Sequence, residues 1–269
     1  MKTALTIAGS DSGGGAGIQA DIKTFSSLGV FGMSVITAVT AQNTMEVKSV
    51  QMIDSQIISD QISAIFDDIH VDAVKIGMLG TKENIDVVAK ELNIYRTEHI
   101  ILDPVMISKG GHHLLQQNAI DALKEKLLPM VTLITPNIPE AESLTDRKIC
   151  TIEDMYTACL KLQELGANKI LLKGGHLEGD PNDLFFDGHH FTWLPGKRIH
   201  TKNVHGTGCT LSSAITAFVA QEETLLSAVK KAKDYITIAI QHSLELGSGH
   251  GPTNHFYHLY ERAGLVDNK

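Results

Sequence analysis

The feature that most constrains this 269-residue chain is a repeated alternation of short apolar runs and helical patterns, separated by polar or glycine-rich breaks. The runs are Ala4 to Ala8, roughly Gly32 to Val39, Val71 to Ile76, His99 to Leu102, Val131 to Thr135 and Lys169 to Leu172. Each is short, largely apolar and bounded by turn residues, as a strand buried on both faces would be. Between them, apolar residues recur at helical spacing over Ile18 to Leu28, Ser55 to Ile69, Thr81 to about Leu92, Leu114 to Leu128 and Thr151 to about Leu165. Parallel strands need a crossover between them, so this alternation predicts a mostly parallel sheet with helices on both faces. The expectation is a three-layer α/β/α fold forming a single domain over residues 1–269. Leu184-Phe185-Phe186 and His189 to Leu194 flank Asp187-Gly188, which predicts a small β-hairpin with a two-residue turn. A last helix is expected from Leu225 to Leu246, stopped by Gly247.

Composition narrows the function classes. A net charge of −8 argues against a nucleic-acid binder, which needs a basic face. A small anionic substrate remains compatible, because local amides and lysines outweigh a diffuse surface charge. No apolar run approaches the roughly 20 residues needed to span a membrane. Gly9 and Asp11 follow the first apolar run too soon for a signal peptide, and Cys150, Cys159 and Cys209 make no disulfide framework or metal spacing. A cytoplasmic protein is expected. The 13 histidines show no zinc-type spacing and read as surface or loop residues.

In an open α/β sheet, ligands bind beyond the carboxyl ends of the strands. The residues at those ends are Gly9 and Asp11, Gln42, Asp103, Asn137 with Glu140, and Lys173. To them is added Asn203-Val204-His205-Gly206-Thr207-Gly208-Cys209-Thr210, followed by the apolar-periodic run Leu211 to Ala220. A glycine loop opening a helix near Thr207 to Thr210 aims free N–H groups and the positive dipole end at one point, which suits a phosphoryl group. The same field is expected to lower the thiol pKa of Cys209. A tight turn with a buried structural cysteine is the plainer alternative. Gln42 offers an acceptor and donors matching the amino group and ring nitrogen of an aminopyrimidine, or else is a polar loop residue. Asp103 and Glu140 suit Mg²⁺, and Lys173 can reach a phosphate as a point charge. Asp103-Pro104 would otherwise be a turn. Gly15-Ala16-Gly17-x-x-Ala20 meets a loose dinucleotide fingerprint, but no ribose-binding carboxylate ends the second strand. No Walker A motif and no protein-kinase catalytic loop occur. Phosphoryl transfer by another architecture is the reading these residues support.

Eight segments resemble the hydroxymethylpyrimidine/phosphomethylpyrimidine kinases of the ribokinase superfamily, in that family's order. They are Ala8 to Asp21, Thr37 to Asn43, Lys75 to Gly80, Asp103 to Met106, Thr135 to Glu140, Leu172 to His176, His205 to Thr210 and Gly249 to Pro252. The resemblance implies a ribokinase-like fold and transfer of the ATP γ-phosphate to 4-amino-5-hydroxymethyl-2-methylpyrimidine, then to its monophosphate. It implies Cys209 as base where most of the superfamily has aspartate, with Gly206, Thr207, Gly208 and Lys173 around the transferring group. Asp11, Gly9, Gln42, Met78 and Val105 would meet the pyrimidine. Asn137, Lys173, Thr207, Asp103 and Glu140 would meet ATP, with Mg²⁺ on Asp103 and Glu140. A homodimer is also implied. Pyridoxal kinases of the same branch are the alternative; they typically carry a second cysteine on a lid, expected here over Ile107 to Leu114, where this chain has Ser108. A silent ligand sensor with the same fold is a third possibility, against which intact Asp103, Glu140, Lys173 and Cys209 count.

Overall fold

The computed structural model describes residues 1–106, 114–177 and 179–266. In chain order, β1 (Thr3–Asp11) leads through α1 (Gly17–Ser27) to β2 (Phe31–Gln42), which turns back into β3 (Val47–Met52). Crossovers through α2 (Ser55–Phe66) and α3 (Lys82–Ile94) deliver β4 (Ala73–Ile76) and β5 (Ile100–Leu102). α4 (Gln117–Ala122) precedes β6 (Leu133–Ile134), and α5 (Ile138–Thr145) with α6 (Ile152–Glu164) precedes β7 (Ile170–Leu172). β8 (Asp183–Phe186) and β9 (Phe191–Leu194) follow, then α7 (Thr207–Ala220), α8 (Leu225–Gln241) and α9 (Tyr257–Arg262).

These strands form one sheet in the order β3-β2-β1-β4-β5-β6-β7-β8-β9. The six from β2 to β7 in that order are mutually parallel, and β3, β8 and β9 add antiparallel edges. Residues of the central strands alternate between the two sides, as the two-residue period requires, with register shifts between Ala8 and Ser10 and between Ala41 and Gln42. Leu5, Ile7, Val74, Ile76, Ile100, Leu102, Ile134, Ile170 and Leu172 pack with residues of α2 to α6. Ala4, Ala73, Ile101, Leu133 and Leu171 pack with α1, α7 and α8 on the other side. This is the expected α/β/α sandwich, and each fully buried Leu or Ile contributes about 1.5–3 kcal/mol to it. From β1 the chain moves to β2 on one side, then returns to β4 on the other. A crevice therefore opens beyond the carboxyl end of β1. No described helix is long and apolar enough to cross a membrane.

Several boundaries differ from expectation for identifiable reasons. β2 runs on to Gln42 because β3, which the sequence reading omits, pairs with it from Ala38↔Met52 to Gln42↔Val47. The Leu114–Leu128 helix starts at Gln117 and changes at Leu123 into one π-helical turn, Leu123–Leu127. The Asp187-Gly188 turn is a four-residue connection, since the Asp187 carboxylate accepts the N–H groups of both His189 and His190. α8 stops at Gln241, and Leu244 N–H instead donates to the Pro252 carbonyl at 3.0 Å. Of the lid expected over Ile107 to Leu114, residues 107–113, including Ser108, lie outside the described residues.

Candidate active site

Asp11 closes β1 with its side chain turned into a knot of amides. Its Oδ1 accepts the Gly13 N–H at 2.8 Å, and its Oδ2 accepts those of Gly15 at 3.0 Å and Ala16 at 2.8 Å. His205 Nε2 donates to the same Oδ2 at 2.9 Å. Burial alone would raise this carboxyl, but the His205 hydrogen bond and charge, together with the Ala16 and Gly13 amides, hold it below the usual carboxylate range. Asp11 thus shapes the Gly9–Gly17 loop and holds His205. The two glycine loops interlock: Gly206 has φ 76°, and a Cβ there would lie 1.8 Å from the Gly15 carbonyl oxygen.

Across the crevice lies a charge cluster. Lys173 Nζ donates to Asp103 Oδ1 at 3.2 Å, and the Thr135 hydroxyl donates to that same oxygen at 3.4 Å. Asn137 is the N-cap of α5, a helix the sequence reading omits, and forms a capping box with Glu140. The Glu140 N–H donates to Asn137 Oδ1 at 2.9 Å, and Glu140 Oε2 accepts the Asn137 N–H at 2.8 Å. Burial pushes the Glu140 carboxyl up to about 7; Lys173 opposes this and Asp103 adds to it. Burial would lower Lys173, but attraction to Asp103 and Glu140 more than reverses that and leaves its pKa raised. The ammonium stays charged. A Cβ on Gly208 would sit 3.4 Å from Lys173 Nζ and 3.6 Å from Asp103 Oδ2, so the first turn of α7 rests directly against this cluster.

Cys209 follows in that turn, and here the expectation from sequence is reversed. Burial pushes the thiol up to about 11. Lys75 and the Gly17 N–H, which donates to the sulfur, favour the thiolate but are opposed by Asp21 and Asp103. Desolvation, with one carboxylate just after β5 and one in α1, outweighs whatever favours the thiolate at a helix start. Beneath Cys209, Lys75 is fully buried and donates to both Asp21 oxygens at 3.0 and 2.8 Å. Thr6 and Ser213 hydroxyls each donate to Asp21 at 2.6 Å. Burial would lower Lys75, and Asp21 first, then Cys209 and Asp103, raise it instead. This pair lacked any assigned role in the sequence reading, although Lys75 is the one polar residue of the otherwise apolar β4.

One cavity of about 1180 Å³ joins these parts. Gly9, Asp11, Gln42, Met78, Asp103, Val105, Asn137, Glu140, Lys173, Gly206, Thr207, Gly208 and Cys209 all line it. Every site residue expected from sequence thus meets in one space. The cavity also extends between Lys197 to Lys202 and the face of α8 bearing Lys233, Ile236 and Ile240. No motif marked that arm. Among the described residues no group of three or more His, Cys, Asp or Glu gathers as a cage for an ion. Two carboxylates beside a lysine fit Mg²⁺, which commonly takes one or two protein carboxylates and completes its octahedron with phosphates and water.

A family model described as Phosphomethylpyrimidine kinase matches residues 11–254. The chain belongs to the phosphomethylpyrimidine kinase family. It is 51% identical over 262 residues to the hydroxymethylpyrimidine/phosphomethylpyrimidine kinase of Haemophilus influenzae, covering 95% of this chain and 97% of that protein. It is also 51% identical over 252 residues to the thiamine biosynthesis bifunctional protein ThiED of Geobacter sulfurreducens, covering 93% of this chain but only 51% of that longer protein. Among solved structures, a phosphomethylpyrimidine kinase from Clostridium difficile superposes with a TM-score of 0.80 at 46% identity, covering 89% of this chain and 100% of that one. An ADP complex of Bacillus subtilis pyridoxal kinase superposes with a TM-score of 0.89 at 40% identity, covering 95% and 97%. The ribokinase-like fold expected from sequence is thereby established. Pyrimidine and pyridoxal kinases share that fold, so the acceptor must be read from the residues around Gln42.

Proposed function

We propose that this protein transfers the γ-phosphate of ATP to the hydroxymethyl group of 4-amino-5-hydroxymethyl-2-methylpyrimidine, and then a second phosphoryl group to the monophosphate, in thiamine biosynthesis. The observation that carries this reading is the meeting, in one cavity, of an apolar acceptor edge at Gln42, Met78 and Val105 with the Asp103, Glu140 and Lys173 cluster and the Gly206 to Cys209 loop. Lys173 and the amides at the start of α7 stabilise charge on the transferring phosphoryl group, where preorganised donors are worth most. Asn137 and Thr207 flank the donor phosphates. Asp103 and Glu140 would hold Mg²⁺, which neutralises phosphate charge when bound. The phosphoryl transition state is loose, so the acceptor hydroxyl loses its proton late and asks little of a base. A thiol pushed up to about 11 is protonated at neutral pH, so Cys209 chiefly shapes the pocket beside the hydroxyl until a bound ligand changes its surroundings. A cytoplasmic homodimer is part of the same proposal, measurable by sedimentation.

The test is mass spectrometry of the products formed from the hydroxymethylpyrimidine with ATP and Mg²⁺. The monophosphate should appear first and then give way to the pyrophosphate. Accumulation of the monophosphate alone would overturn the two-step reading. Pyridoxal phosphorylation is the second reading, favoured by the close superposition on pyridoxal kinases.

A further inference from the structure

The segment Gly249-His250-Gly251-Pro252 carries part of the family resemblance, yet it does not line the cavity. It is tied down on both sides. Toward β2 it meets Thr44, in the turn between β2 and β3. The His250 N–H donates to the Thr44 carbonyl at 2.8 Å, and the Gly249 N–H donates to Thr44 Oγ1 at 3.2 Å. Toward α7 it meets the residues just ahead of that helix. The Gly251 N–H donates to Oδ1 of the buried Asn203 at 3.1 Å, and the His205 N–H donates to the Gly251 carbonyl at 3.1 Å. His250 Nδ1 lies 2.8 Å from the Lys202 carbonyl, which only accepts, so the proton sits on Nδ1. Close approach demands both glycines. A Cβ on Gly249 would overlap the Thr44 carbonyl oxygen, and one on Gly251 would overlap the Leu244 carbonyl oxygen and the Asn203 side chain.

Each side leads within a few residues to a working part of the cavity. Thr44 follows Gln42 closely, and the turn they share is stiff, because Asn43 Oδ1 accepts the N–H groups of Met45 at 2.8 Å and Glu46 at 3.0 Å. The Gln42 backbone is fixed as well: its N–H donates to Ser12 Oγ at 2.8 Å, and its carbonyl accepts the Ser12 hydroxyl at 2.7 Å. On the other side, His205 immediately precedes Gly206. We infer that Gly249 to Pro252 is a clasp, with Thr44 as its positioning residue, that holds the acceptor end of β2 in register with the loop opening α7. This deepens the proposed function and rests on it, with Gln42 beside the acceptor and Gly206 to Cys209 beside the transferring group. Thr44 lies outside the cavity lining, so it acts through Gln42 rather than on a substrate. Transfer needs the acceptor oxygen about 3–3.5 Å from phosphorus, and a misplacement of about 1 Å costs on the order of 10²-fold. With the clasp slack, water competes with the misaligned hydroxyl. The bond from the γ-phosphorus to ADP then breaks, one to water oxygen forms, and ADP, inorganic phosphate and a proton leave without phosphorylated pyrimidine.

The experiment measures ADP and phosphorylated pyrimidine together, with ATP, Mg²⁺ and the hydroxymethylpyrimidine, for the wild type, Thr44→Ala, Thr44→Ser, Gly249→Ala and Gln42→Leu. The wild type should form ADP and transferred phosphoryl groups in equal amounts. Thr44→Ala should raise KM for the pyrimidine about 3- to 10-fold and let ADP exceed the groups transferred, with KM for ATP and the melting temperature unchanged. Gly249→Ala, which pushes the clasp off the Thr44 carbonyl, should lower kcat/KM for the pyrimidine by about 10- to 100-fold. Thr44→Ser keeps the hydroxyl and should restore wild-type values. Should Gly249→Ala fail to fold, Thr44→Ala decides alone. A wild-type KM and equal yields in Thr44→Ala, or KM values for ATP and pyrimidine that rise together, refute the clasp. Gln42→Leu separates the two ideas. If it raises KM for the pyrimidine while Thr44→Ala does not, the reading of Gln42 stands without the clasp; if it leaves that KM unchanged, the reading fails and the clasp with it.

Discussion

Two lysines separate what this fold needs to stand from what it needs to act. Lys75 lies in β4 with no exposed side-chain surface and is bound by both oxygens of a single carboxylate, Asp21. Lys173 follows β7 with 15% of its side chain exposed and reaches one oxygen of Asp103 at 3.2 Å; both lysines border the cavity. Both are buried cations in the midst of carboxylates, and both are raised in pKa by them. The difference lies in how completely each is satisfied. Lys75, Thr6 and Ser213 donate four hydrogen bonds to Asp21, so the pair behaves as a closed neutral plug tying β1, β4, α1 and α7 together. Lys173 shares its partner with Thr135 and keeps capacity to meet an incoming phosphate.

The comparison breaks first at Lys75. Lys75→Met leaves Asp21 charged and unpaired in the interior, and should cost about 3–5 kcal/mol of stability by urea denaturation. A loss under about 1 kcal/mol would mean that the plug is not closed. Lys173→Met should melt far closer to the wild type but lower kcat by about 10²–10³, because a charge aimed at the transferring group is gone. Equal destabilisation by the two variants would erase the distinction. Asp103→Asn removes the hydrogen-bonded partner of Lys173 and leaves the Lys75–Asp21 hydrogen bonds in place. It should raise the Mg²⁺ concentration for half-maximal activity by about 10- to 100-fold, read from a Mg²⁺ titration at saturating ATP.

How much of this was legible in the sequence depends on whether the signal was local. Strand ends announced themselves because apolar runs stop abruptly at Asp11, Asp103 and Lys173, and all of these line the cavity. α5 escaped notice because Pro136-Asn137-Ile138-Pro139 looks like a loop, although Asn137 and Glu140 stand at capping-box spacing. β3 escaped because Val47 to Met52 is an exposed edge with only partial alternation. His205 lay in the loop the sequence pointed to, but its partners Asp11 and Gln42 come from β1 and β2, and no spacing rule connects them. The Cys209 thiol failed in direction for the same reason: the helix start is local, while the burial and the carboxylates that overrule it are not.

That last point yields the smallest effect. In a Cys150→Ser background, iodoacetamide should modify Cys209 slowly at pH 7, with the rate climbing about tenfold per pH unit toward about 11. Cys159, pushed up to about 12 by burial alone in α6, is the internal control and should lag behind it. A rate already level at pH 7 would restore the low-pKa thiol that the sequence suggested.

The most direct test of the account is the acceptor preference of the purified protein with ATP and Mg²⁺. kcat/KM is measured for the hydroxymethylpyrimidine, its monophosphate, pyridoxine and pyridoxal. A clear preference for the two pyrimidines is the expected result and leaves Gln42 as the reader of the acceptor. A preference for pyridoxal would contradict it and assign this cavity to a vitamin B6 kinase.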